Sequence, residues 1–229
     1  MECFIDLHIS LMRVRKVMNK KLSIYLFSLL AMFFVITPLT IEAQSQTNKK
    51  PIKYKKARAL QSSTAKKMAK VYEALEVVDD KGEPAPDMQV VLSILTELRN
   101  DMANLKSYDR SVMWNAWAFV YFSDGDYPKA MDAYSRLINE PEVTIGLRVG
   151  ALLSLAQLNL LQENYQEGIR LILQWMSEVE TITAQSYSLL GQAYYQTGNF
   201  KKALSSMETA VTMAEEEGYK PRENWYVIM

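Results

Sequence analysis

Residues able to do chemistry are scarce in this 229-residue chain, and they sit in unpromising places. Its one cysteine is Cys3 and its one histidine is His8. Both lie upstream of Gln44, in a stretch read below as an export segment. From Gln44 onward no thiolate or imidazole can serve as nucleophile, proton shuttle or zinc ligand, and no disulfide can form. The acidic runs Asp79-Asp80 and Glu215-Glu216-Glu217 remain. Acid–base catalysis by paired carboxylates needs surroundings that push their pKa values apart. These runs fall in a Gly/Pro-containing loop and at a polar helix end, so they read as solvated charge. No Gly-rich phosphate loop, GxSxG or HExxH pattern occurs. The chain therefore reads as a non-enzyme with no catalytic residue, no metal site and no cofactor.

What the chain offers instead is surface, and an internal period shapes that surface. Gly125-Asp126-Tyr127, Glu163-Asn164-Tyr165 and Gly198-Asn199-Phe200 are three versions of one small-polar-aromatic turn. Counting from Ala184, Tyr187 is at position 4, Leu190-Gly191 at 7 and 8, Tyr194 at 11, Ala203 at 20, Met207 at 24 and Ala210 at 27. Counting from Ser111, Trp114, Trp117, Ala118, Tyr121, Ala130 and Tyr134 fill positions 4, 7, 8, 11, 20 and 24 in the same order. The middle copy has Leu152, Leu155, Ala156, Asn159, Gly168 and Ile172, and departs at Asn159 (no aromatic) and Glu163 (no Gly). Small residues at 8 and 20 let two antiparallel helices approach, while large ones at 4, 7, 11 and 24 fill the space between pairs. Glycine at 15 ends the first helix in a left-handed conformation.

This pattern resembles the tetratricopeptide repeat. The resemblance implies an all-α fold, a right-handed α-solenoid of antiparallel helix pairs that recognises other proteins.

Composition agrees, with 49% hydrophobic and 23% charged residues and only 8 Gly and 7 Pro. Upstream, Met68, Val71, Tyr72 and Leu75 mark one amphipathic helix, and Met88, Val91, Leu92, Leu95, Leu98 and Met102 mark a second. They read equally as a degenerate first repeat and as an unrelated hairpin, separated by the long loop Asp79 to Pro86. At the far end, Pro221 and Trp225 announce a further repeat, and the apolar Trp225 to Met229 reads as a truncated one.

The basic Lys20-Lys21, the apolar run Leu22 to Leu39 broken by Pro38, and Ile41-Glu42-Ala43 have the order of a secretory signal peptide cleaved after Ala43. An uncleaved N-terminal anchor is the alternative. Met18 can serve as the true start. The expected organisation is a signal peptide over 1–43, a basic arm over 44–62, a helical hairpin over 63–106 and the repeat array over 107–229. No membrane span is expected after cleavage, and the location expected is the bacterial periplasm.

Helical register places Asn115, Phe119 and Phe122, then Leu153, Gln157 and Leu160, then Ser188, Gln192, Tyr195 and Gln196 on the face formed by the first helices. This groove carries no charge, which favours an amphipathic helix or an extended segment of another protein over a carboxylate terminus. Packing of Phe119 and Phe122 within the array is the competing reading. Nine basic and no acidic residues lie between Gln44 and Tyr72, whereas the chain from Glu73 onward has a net charge of −11. The cluster over 49–70 suits weak contact with an anionic surface, or a solvated linker. The acidic body argues against nucleic acid.

The stretch Gly218-Tyr219-Lys220-Pro221-Arg222-Glu223-Asn224-Trp225-Tyr226 is similar to one in exported bacterial tetratricopeptide proteins associated with TonB-type energy-transduction systems. That resemblance implies an accessory role beside a proton-driven envelope motor. A helical-repeat accessory or targeting subunit of a cell-wall or protease enzyme is the alternative.

Overall fold

The structure, a computed structural model, describes residues 58–227 and 229. The expected signal peptide and most of the basic arm lie outside the described residues. The chain divides into two units, one of residues 1–51 with 78–84, the other of residues 52–77 with 85–229. In the first, the described segment is a tight loop closed by a bridge between Val78 and Pro84. There the Asp79 carboxylate accepts backbone N–H bonds from Lys81 and Glu83 at 2.8 and 2.9 Å. Asp79 thus holds a turn together through its carboxylate.

Among its described residues the second unit contains helices and no strand. Two come first, α1 (Ser62–Leu75) and α2 (Met88–Asn100), followed by a 3-10 turn at Met102–Asn104. Three pairs follow in order: α3 (Ser107–Ser123) with α4 (Tyr127–Ile138), α5 (Ile145–Leu161) with α6 (Tyr165–Glu178), and α7 (Ala184–Gln196) with α8 (Phe200–Glu216). A four-residue α9 (Glu223–Tyr226) comes last among the described residues.

The pairs form where their small residues meet. Ala118 and Ala130, Ala156 and Gly168, and Gly191 and Ala203 are all buried. A Cβ on Gly191 would lie 3.0 Å from the Met207 side chain and 3.2 Å from the Ala203 carbonyl, so the helices touch almost backbone to backbone. A Cβ on Gly168 would lie 2.4 Å from a methyl of Leu160, whose side chain fills the room the glycine leaves.

Each turn repeats one geometry. Gly125, Glu163 and Gly198 have φ of 79°, 63° and 73°. Directly after them, the N–H of Asp126, Asn164 and Asn199 returns to the carbonyl of Tyr121, Asn159 and Tyr194 at 2.9, 2.8 and 2.9 Å. That is the left-handed closure that satisfies a helix's last carbonyls. Asp126 and Asn199 then cap the following helix. The middle copy's two departures are thereby accounted for. Glu163 takes a left-handed backbone normally reserved for glycine, and Asn159 is 4% exposed with its amide donating to the Leu155 carbonyl at 2.8 Å.

Candidate functional site

The face expected to hold a partner is carried by α3, α5 and α7, the first helices of the three pairs. On α3, Asn115, Phe119 and Phe122 are half-buried. Phe119 packs on the core, and the Phe122 ring lies 5.7 Å from that of Tyr127. On α5, Leu153 and Leu160 are half-buried against the core, while Gln157 is exposed. On α7, Gln192 is half-buried and Gln196 exposed, and Tyr195 is 40% exposed with its ring edge-on to Phe200 at 5.5 Å. Ser188 is the correction. It is fully buried, and its hydroxyl accepts a hydrogen bond from the Gln192 amide at 3.1 Å, so the longer side chain closes over the shorter. What a partner can reach is therefore uncharged: amides from Gln157 and Gln196, the Tyr195 ring, and the outer edges of the half-buried side chains.

Charge is concentrated elsewhere, in a pattern that sequence reading missed. Arg110 forks onto Glu140 at 2.8 and 2.7 Å and donates to the Leu105 carbonyl at 2.7 Å. One repeat later, Arg148 forks onto Glu178 at 2.7 and 3.0 Å and donates to the Ile138 carbonyl. The hydrogen bonds from Arg148 hold the Glu178 carboxyl below its usual range, and the same pairing raises the arginine. Aligning the copies exposes the signal: both arginines directly precede the first counted position, and both glutamates lie 30 residues further on.

Aromatic residues at the start of the array are engaged by cations. Trp117 donates its indole N–H to the Leu95 carbonyl at 3.3 Å, stacks on Tyr121 at 5.0 Å and carries the Arg99 guanidinium 4.5 Å above its ring. These contacts dock α2 onto α3. A shallow cleft of about 500 Å³ lies nearby, lined by Arg110, Trp114, Asp132, Arg136 and Glu140 among others. Its cations are internally paired, Arg110 with Glu140 and Arg136 with Asp132, which leaves little net charge for an ionic ligand. Among the described residues no group of three or more His, Cys, Asp or Glu is placed to hold a metal. No helix of the described residues is long and apolar enough to cross a membrane.

The fold is an all-helical solenoid of the tetratricopeptide type, and residues 184–217, covering α7 and α8, match the tetratricopeptide repeat family. No curated protein matches the sequence. Among solved structures, the apo form of RapI is similar over 69% of this chain with a TM-score of 0.54 and 14% identity. At that identity the likeness is one of fold. The match spans 58% of the RapI chain.

Proposed function

We propose that this protein is a non-catalytic scaffold that holds other proteins, acting in the bacterial periplasm after export and serving a TonB-dependent uptake complex. One observation carries the scaffold reading: an uncharged, partly aromatic face on the first helices of a repeat fold, set apart from the Arg110–Glu140 and Arg148–Glu178 pairs. Tyr195, Gln157 and Gln196 would offer a ring and two amides to an amphipathic helix or extended segment, while Phe119 and Phe122 would set the apolar floor. The periplasmic and TonB assignments rest on the signal-like N-terminus and the Gly218–Tyr226 resemblance.

Affinity purification from cross-linked envelopes tests this reading, comparing the unaltered chain with a Gln157→Arg/Tyr195→Ala variant. Recovery of transport-motor components by the first and not the second is expected. Recovery of a peptidoglycan enzyme or protease alone would replace the uptake role with that of an enzyme accessory. N-terminal sequencing of the exported protein should begin at Gln44; a start at Met1 or Met18 would indicate an uncleaved anchor.

A further inference from the structure

We infer that the repeat array has one soft joint, at residues 180–183 between the second and third helix pairs, about which α7 and α8 pivot.

The first observation is the distribution of arginine struts. Arg148 stands on the first turn of α5, donates to the carbonyl of Ile138 at the end of α4, and forks onto Glu178 at the end of α6. One side chain therefore pins the first pair to the second. Arg110 does the equivalent one step earlier, joining Leu105 ahead of α3 to Glu140 beyond α4. The third pair cannot repeat this. Helices α3 and α5 each have 17 residues, but α7 has 13 and lacks the opening turn on which the arginine stands. The corresponding positions are Thr183, which caps α7 through the Ser186 N–H, and Met213.

The second observation is independent and concerns apolar packing. One continuous core runs from α1 through the first two pairs and into Leu190, Ala193, Tyr194 and Ala203, near the α7–α8 turn. The other end of the third pair belongs to a separate cluster: Ala184, Met207, Ala210, Val211, Ala214 and Trp225. The third pair therefore shares the continuous core at the end holding its own turn, whereas past Val179, which still packs on that core, its opposite end packs in a cluster of its own. Shared packing at one end and separate packing at the other define a pivot, and the separately packed end is where the arginine strut is missing. Rotation there alters the separation of α5 and α7, and with it the width of the surface between Gln157 and Gln192. A partner would meet two fixed helices and one adjustable one.

Asn139, Ser177 and Thr212 occupy equivalent exposed positions near the ends of α4, α6 and α8. With Cys3 replaced by Ser, spin labels at 139/177 and at 177/212 report the two junctions, and the shared site at 177 makes any perturbation there common to both. The distance distribution for 177/212 should be about twofold broader than that for 139/177. Arg148→Leu should broaden 139/177 and leave 177/212 as it was. Equal widths in the parent chain would overturn the proposal, as would a 139/177 distribution indifferent to Arg148→Leu. Amide exchange provides a check without labels: residues 185–190 should exchange faster than 108–113 and 146–151, and equal protection would count against the joint.

Discussion

Arg148 and Glu178 lie 30 residues apart and meet through two hydrogen bonds of 2.7 and 3.0 Å, with 29% and 21% of their side chains exposed. A bidentate pair that is mostly covered is stronger than an ordinary surface ion pair, though solvent still screens it. Because Arg148 also reaches the Ile138 carbonyl, the pair joins three helices.

The first prediction follows from the titration of that pair. The Glu178 carboxyl is held below its unfolded value, chiefly by the hydrogen bonds from Arg148 and further by one from Gln174. A depressed carboxyl stabilises the fold above its unfolded pKa of about 4.3, and that contribution is lost as pH falls through the folded value. Glu178→Gln should therefore be less stable than the parent by about 1 kcal/mol at pH 7. The difference should shrink from about pH 5 downward and vanish once the parent carboxyl is protonated. Urea midpoints at pH 7, 5, 4 and 3.5 measure it, and a constant difference across that range would contradict the assignment.

Glu163 provides the second. It holds φ of 63° at the place where the neighbouring copies use Gly125 and Gly198. A side chain in that conformation costs about 1–2 kcal/mol, of which glycine's extra unfolded-state entropy returns part. Glu163→Gly should stabilise the chain by about 0.5–1 kcal/mol, raising Tm by roughly 2 °C for a protein of this size. Gly125→Ala should move Tm the other way by a similar amount.

Such turns were legible because their requirement is local. A left-handed residue followed by a cap and an aromatic is visible within three positions, and small residues at the helix contact recur at fixed spacing. The Arg148–Glu178 strut was not legible, because its partners stand a full repeat apart and each looks like an ordinary surface charge. Ser188 was misplaced for a related reason. Register puts it on the open face, but register cannot say that the Gln192 side chain will fold back over it. The end of α1 was equally opaque: Gln61 has no side-chain cap of its own, and its N–H is taken by Asp109, 48 residues away.

Gly168 gives a third prediction, with two effects opposed. Replacing glycine by alanine inside a helix gains about 1 kcal/mol in propensity. Here the new methyl would sit 2.4 Å from Leu160 Cδ2 and 2.8 Å from its Cγ, and overpacking of that kind costs about 1–3 kcal/mol. Gly168→Ala alone should be destabilising by about 1 kcal/mol. In a Leu160→Ala background the same change should become stabilising, since only the propensity gain remains. A double-mutant cycle by urea denaturation reads this reversal of sign directly.

The last concerns how α1 is attached. Asp109 is fully buried on α3 and accepts the Gln61 N–H at 3.0 Å, while Gln61 accepts the Lys106 N–H through its own side chain at 3.0 Å. Each segment thus satisfies an orphan donor at the other's helix start, where the carboxylate also faces the positive end of α1. The second Asp109 oxygen has no partner among the described residues, so burying the charge carries a cost that offsets part of the gain. Asp109→Ala removes both, and loss of the cap should dominate: about 1–2 kcal/mol of destabilisation. The damage should be confined to one end. Limited proteolysis should cut within 62–75 far faster than in the parent, while α5 to α8 keep their amide protection. Uniform loss of protection across the array would show instead that Asp109 supports the whole core.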